Sequence, residues 1–576
     1  MFFLVNSVCL ANNFDDIFLS SEEQKLERQR KNDNRNQEQK NKFPKNKFPS
    51  KIIPNSNIKI DDKITKDGFV IKQVILNGST ILSQRKINKI TKNFIGKNAN
   101  LININSIIKL ITNLYIKHGY ITSKIFLKPQ NISSGLINLE VIEGKLEEFV
   151  FAESFKGHYS LSDQTRKSMA WPFLEGKILN IRDIERGLAQ INRLRSNNIT
   201  MDILPGAKLG YSKILLQDKS KKLPINISFN LNNSGSKSTG ELKRKATASL
   251  DNMLGWNDNL LLQYSEDSVS KHKDRNFSSF YTMLDIPYGY WNLTFSYIKS
   301  RYLSTIKATN SYIKTTGISN NFTLAIKNHF FENKTHNITI DSKLSLKQSV
   351  SKMQGSLMDV QDKRLSVLSL AFTHAINGKY GYFSYTPSYF EGLKIFDARK
   401  DLTNLNGKNA HYQFRKFTLN SYYQKNFRLK KQKLFYKNNF SAQYGVDGLH
   451  SSEQFFIGDQ YSVRGYKDKS AGGDSGFYIQ NDLGINLPIY RLGMLANLSK
   501  LKTMQAFLAY DLGWSRMRGG KNANNNEGKA YLTGIALGLK LKGKYCDFDL
   551  TYGQSVKTTN FIGDSRALYM NFKVGF

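Results

Sequence analysis

RALYMNFKVGF, residues 566–576, sets Leu568, Met570, Phe572, Val574 and Phe576 on one side of an extended chain and Tyr569, Asn571, Lys573 and Gly575 on the other, because successive side chains of a strand point to opposite faces. One face suits lipid and the other water, and a period of two gathers on no single face of a helix. The stretch before it repeats the scheme. In YLTGIALGLKL (531–541) Thr533, Ile535, Leu537, Leu539 and Leu541 oppose Gly534, Ala536, Gly538 and Lys540, and in CDFDLTY (546–552) Cys546, Phe548, Leu550 and Tyr552 oppose Asp547, Asp549 and Thr551. In TMQAFLAYDLGW (503–514) Met504, Ala506, Leu508, Tyr510, Leu512 and Trp514 form the apolar face, which turns Asp511 inward with Gln505 and Gly513. Segments of this kind, about ten residues long and separated by Gly, Asn, Asp and Lys turns, continue back to about residue 223, as in transmembrane β-barrels. A soluble β-sandwich alternates too. The terminal Phe576, the Tyr and Phe near strand ends and a total of only 10 prolines favour the barrel.

No apolar run approaches the ~20 residues that a membrane-crossing helix needs, so any crossing uses strands. The chain has 576 residues, too many for one ordinary core. Its 84 Lys+Arg against 46 Asp+Glu give a net charge of +38, a balance that nucleic acid or anionic lipid would match. The lysines, however, are spread along the whole chain among Asn and Ile, with no basic block interleaved with aromatics, so no nucleic-acid partner is expected. MFFLVNSVCLANN (1–13) is an apolar run ending in Cys9-Leu10-Ala11 without a basic leader. It reads either as the remnant of a signal peptide over 1–11 or as an ordinary hydrophobic N-terminus. Cleavage after Ala11 would leave Cys546 as the only cysteine, which excludes an internal disulfide and a cysteine-based metal site.

Residues 21–42 contain Leu26 as almost their only apolar side chain, while Ser20 and Glu23 have capping-box spacing and Pro44 supplies a stop. A helix polar all round cannot enter an apolar core, so 12–42 is either disordered or lodged in a wet cavity. Pro44, Pro49 and Pro54 make 43–68 an extended linker. From Phe69 the expected order is strand, helix, helix, strand, strand: Ile87, Ile90 and Phe94 mark one helix face, Ile107, Ile111 and Leu114 a second, and Gly119 ends it. A related order follows from about Leu146, with Asn180 as a cap and Ile184, Leu188 and Ile191 on one face. Two α+β modules, 69–146 and 147–222, are therefore expected before a barrel over 223–576.

GKILNIRDIERGLAQINRLRSNNITMDILPGAKLGYSKILL (176–216) resembles the second polypeptide-transport-associated (POTRA) domain of two-partner secretion transporters, the outer-membrane partners that export haemolysins, filamentous adhesins and contact-dependent inhibition toxins. LDIPYGYWNLTFSYIKSRY (284–302) resembles an early barrel segment of that family, and SVRGYKDKSAGGDSGFYIQNDL (462–483) its signature loop and the strand after it. The resemblance spans essentially the whole chain and implies a mainly β fold: a plug helix over 12–42, a linker, two POTRA domains and a barrel of about 16 strands, or roughly 22 residues per strand and connection. It implies that Val463, Arg464, Gly465 and Tyr466 form the V/I-R-G-F/Y tip of a loop folded back into the lumen. It also implies that Arg464 faces an inner-wall acid, matched by Asp511 beside Gly513, and that Phe576 is the C-terminal signal read by the barrel assembly machinery. A secreted passenger protein bound through the POTRA domains is the implied partner, with outer-membrane lipid around the barrel and the POTRA domains in the periplasm.

Other chemistry finds little support. GDSG (473–476) echoes a serine-protease nucleophile segment, but it lies at the mouth of a strand without a His and Asp constellation, so Ser475 reads as part of a turn. His118 and His158 lack metal-ligand spacing, and no P-loop or dinucleotide fingerprint occurs. No catalytic residue, metal or cofactor is expected. The alternatives to a transporter are an outer-membrane insertase of the same superfamily and a porin with periplasmic adaptor domains. Insertases usually carry more POTRA repeats, and porins have neither POTRA domains nor a VRGY loop.

Overall fold

The structure, a computed structural model, describes residues 69–152, 161–220, 222–267, 274–307, 312–333, 335–357, 362–407, 409–489, 500–518, 528–559 and 562–575. The expected signal remnant, plug helix and linker over 1–68, together with His158 and Phe576, lie outside the described residues.

The first module runs strand Gln73–Asn77, helix Gln84–Thr91, helix Leu101–Lys117, strand Lys124–Leu127, strand Leu136–Ile142, and the last of these lies in the middle of its three-stranded sheet. Asn100 caps the longer helix by accepting the Asn103 N–H at 2.9 Å, satisfying a donor that a helix start leaves open. Ile137, Leu139 and Val141 alternate into a core with Ile87, Ile107, Ile111 and Tyr115. Phe94 belongs to that core, but from a short 3-10 turn, Lys92–Phe94, that follows the first helix.

In the second module, strand Lys145–Phe151 is followed by helices Leu161–Ala170 and Ile181–Ile191 and strands Ile199–Pro205 and Tyr211–Asp218. Its start at Lys145 corrects the expected boundary at 147: Leu146 is fully buried in the second core, and the chain changes modules at Gly144. Trp171 fills that core. Its ring stacks on Phe149 at 4.2 Å and its Nε1–H donates to the Ile184 carbonyl at 3.1 Å, giving the indole the partner that burial demands.

Among the described residues sixteen long strands, from Ile225–Asn232 to Arg566–Gly575, close into an antiparallel barrel. The seam between first and last is short, running only from Asn571↔Asn232 to Gly575↔Ser228. The Asn230 side-chain amide reinforces it by donating to Asn571 Oδ1 at 2.7 Å and to the Phe572 carbonyl at 3.0 Å. Leu568, Met570 and Phe572 face outward, whereas Tyr569 is buried inside. In strand Leu501–Arg516, Leu508 and Tyr510 face outward and Asp511 is fully enclosed. Tight turns such as Tyr288–Trp291 and Leu429–Gln432 lie at the end bearing the modules, and the long connection between Gly445 and Ser475 lies at the other.

Candidate functional site

The connection between strands Gln432–Gly445 and Ser475–Leu487 folds back into the lumen. Its two arms hold each other through a small ladder, Phe455–Ile457 against Ala471–Gly473, and between them Val463, Arg464 and Tyr466 are buried. Arg464 Nε donates to Asp511 Oδ2 and Nη2 to Oδ1, both at 2.6 Å, and the Arg464 backbone N–H adds a third bond to Oδ2 at 3.1 Å. This is the fork geometry that a guanidinium offers a carboxylate. Asp482 is a second acid, 2.7 Å from Nη2. Phe507, whose ring centroid lies 5.6 Å from the guanidinium carbon, supplies an aromatic face within cation–π range.

Backbone packing makes the tip tight. Gly465 has φ +100°, and a Cβ there would lie 2.6 Å from the Gln554 carbonyl carbon, so both conformation and space require glycine. The wall yields in turn. Gly513 leaves room for Val463, and at Gly534 a Cβ would meet the Arg464 carbonyl oxygen at 2.0 Å. Tyr466 reaches between strands Lys529–Gly543 and Cys546–Thr558, its hydroxyl 2.9 Å from both the Thr533 and Lys557 carbonyls, where the ladder shifts register after Thr533. The Gly465 N–H donates to Tyr569 Oη at 3.3 Å. Tyr466→Phe removes a hydroxyl that a phenylalanine tip lacks and is expected to weaken loop docking by about 1 kcal/mol. Cleavage of the loop by external protease measures it, and rates equal to the parent's would show that the hydroxyl carries no docking energy.

Asp482, Phe507 and Tyr569 were absent from the expected site, because it is the pairing of strands that brings them to it. Gln480 pairs with Asp511, so Asp482 is its inward diagonal neighbour, and two enclosed acids so placed call for a shared cation. Ser475 opens a strand and its Oγ accepts the Gly445 N–H at 3.2 Å. His118 Nδ1 lies 2.8 Å from its own helix carbonyl, Leu114 O.

A second polar centre joins the second module to the barrel. Helix Ile181–Ile191 buries Ile184, Leu188 and Ile191 in its module and turns Asp183, Arg186 and Gln190, continued by Arg193, toward the barrel turns. Arg186 Nη1 meets Glu332 at 2.9 Å, Arg193 pairs with Asp285, and the Tyr290 hydroxyl bonds Asp183. Gln190 Nε2 donates to Asn292 Oδ1 at 2.8 Å while the Gln190 carbonyl accepts from Asn257 Nδ2 at 2.8 Å. Burial pulls the Arg186 guanidinium below its ordinary range against the opposing charge of Glu332.

The family described as haemolysin secretion/activation protein ShlB/FhaC/HecB matches residues 210–541, a ShlB-type POTRA domain matches 69–144 and a further POTRA domain matches 145–205. The chain belongs to this family. It is 30% identical over 505 residues to the outer membrane transporter CdiB of Dickeya dadantii, covering 87% of this chain and 85% of the relative. It is 28% identical over 417 residues to the hemolysin transporter protein ShlB of Serratia marcescens, covering 72% and 71%. The solved structure of CdiB from Escherichia coli superposes with a TM-score of 0.81 at 25% identity, covering 98% of both chains. The family member described here is thus an outer-membrane transporter of two-partner secretion. Its barrel crosses the outer membrane, its POTRA domains stand in the periplasm, and it exports a partner protein.

Proposed function

We propose that the passenger, a haemolysin, adhesin or contact-dependent toxin, is caught by the POTRA domains as an extended segment that adds a strand to their sheets, and then passes through the lumen beside the clasped loop. A membrane pore facing the periplasm has no ATP at hand, so folding of the passenger outside the cell supplies direction. The barrel assembly machinery inserts the barrel, with Phe576 as its terminal signal.

Hydrogen bonding at the sheet edges supports this reading. In the first domain, edge strand Gln73–Asn77 is already occupied: Gln84 accepts the Leu76 N–H at 3.3 Å and donates to the Val74 carbonyl at 2.6 Å. In the second, edge strand Lys145–Phe151 is covered by segment 175–179, through Leu146 N–H to Lys177 O at 2.9 Å and Gly176 N–H to Leu146 O at 2.8 Å. The opposite edges, Lys124–Leu127 and Ile199–Pro205, pair with one strand only among the described residues, the second being taken up at Ile199 alone, where Asn192 accepts the N–H at 2.8 Å and donates to the carbonyl at 2.7 Å. They are the places where main-chain groups remain for an incoming strand. In a Cys546→Ser background, Lys124→Cys and Asp202→Cys are expected to form disulfides with single-cysteine passengers caught in transit, whereas Gln73→Cys is not. Equal trapping at all three positions would refute strand addition at these edges.

A further inference from the structure

The loop tip has one clasp, but a second charged centre lies at the loop's root, where the chain leaves the wall. Glu453, in the short turn Ser451–Glu453, is only 3% exposed. Its Oε1 lies 2.6 Å from Lys347 Nζ and its Oε2 2.8 Å from Lys416 Nζ, while its backbone carbonyl accepts from Lys416 Nζ at 2.8 Å and from Gln443 Nε2 at 2.9 Å. Lys347 belongs to strand His336–Met353 and Lys416 to strand Arg415–Leu429, with strands Lys363–Gly378 and Gly381–Leu393 between them in the barrel. The next residue pair along the root closes the arms: Asp474 accepts the Leu449 N–H at 2.8 Å through Oδ1 and the Arg518 N–H at 2.6 Å through Oδ2. Burial would raise the Glu453 carboxyl, but Lys347 and Lys416 overcome that and hold it at about 2.

We propose that Glu453 is a second positioning residue of the lumen loop, clasping its root to the Lys347/Lys416 wall independently of the Arg464 tip. The proposal rests on the reading of this chain as a transporter with an internal loop. The two clasps have opposite polarity. At the root an acid of the loop meets two cations of the wall, and at the tip a cation of the loop meets the two acids Asp482 and Asp511. A loop shifted along the wall would face like charges, so the pair of clasps fixes its register by penalising wrong positions as well as rewarding the right one.

The test is a cleavage map of the full-length protein in outer membranes, made with a broad-specificity protease added outside. Glu453→Gln is expected to open sites within 446–455, Arg464→Ala sites within 459–470, and only the double variant both sets together with a several-fold rise in single-channel conductance. Reversing the clasp, Glu453→Lys with Lys347→Glu and Lys416→Glu, restores protection of the root, which a merely space-filling role would not allow. A Glu453→Gln map identical to the parent's would overturn the proposal, as would opening of the root by Arg464→Ala alone. Because the readout is loop protection, a passenger that binds elsewhere than the POTRA edges leaves the result unchanged.

Discussion

Arg464→Ala is expected to undock the loop tip and cut secretion sharply while the barrel still assembles. Asp511 is fully enclosed and Asp482 lies beside it, so removal of the guanidinium takes from Asp511 the cation it is hydrogen-bonded to and leaves Asp482 only the more distant Lys437 and Lys540. Breaking a buried pair by removing one partner costs about 3–5 kcal/mol, which shifts the docked fraction by roughly a hundredfold or more. The direct attraction alone is about 4 kcal/mol for charges 4 Å apart at an effective dielectric near 20, before desolvation is subtracted. Arg464→Lys restores charge but not the fork to Oδ1 and Oδ2, so it rescues in part. A double-mutant cycle with Asp511→Ala, read as secretion and as tip cleavage, decides the matter. Strictly additive losses would mean that the two residues do not act as a pair. The neighbouring Asp482 makes a second cycle, Arg464→Ala with Asp482→Asn, a measure of how the cation is shared.

Deletion of residues 69–222 is expected to abolish secretion and leave the barrel in the membrane. The strand ladder from Ile225 to Gly575 closes without any strand of the POTRA domains, whereas passenger capture needs their edges. Normal export by the shortened chain would sink the assignment of recognition to these domains. The deletion also empties the joint at which Asp183, Arg186, Gln190 and Arg193 meet the barrel turns. Asp285 and Glu332, near the module ends of strands Asn276–Tyr288 and Tyr312–Glu332, then return to water, where their charges are solvated rather than stranded. The barrel is therefore spared the penalty that a single Arg186→Ala would impose on Glu332 in the intact chain.

The alternation in 503–514 and 566–576 made the barrel wall legible because lipid on one side and water on the other impose a strict period of two. The helix faces of both small modules were legible for the same reason at a different period. The tip Val463-Arg464-Gly465-Tyr466 and the acid Asp511 could be named from the sequence through a family resemblance, with the inward parity of Asp511 as independent support. Asp482 and Glu453 could not. Each is an ordinary acid in its own segment, and what distinguishes it is the company it keeps across the lumen, Arg464 for one, Lys347 and Lys416 for the other. The polar face of helix Ile181–Ile191 escaped notice because a polar stripe normally faces solvent. Its partners, Asn257, Asp285, Asn292 and Glu332, come from the module end of the barrel, far along the chain.

The loop also imposes a chronology on the making of the barrel. Its root is tied to strands that precede it, through Lys347 and Lys416, and its tip to strands that follow, through Asp511, Thr533, Lys557 and Tyr569. The tip contacts span 47 to 104 residues, against 341 for the Asn230–Asn571 seam. Shorter closures cost less chain entropy and are reached sooner. The C-terminal hairpins can thus be laid against a former already standing on the earlier wall, with the short seam left as the last join, so an unclasped loop would slow the making of a barrel that still forms.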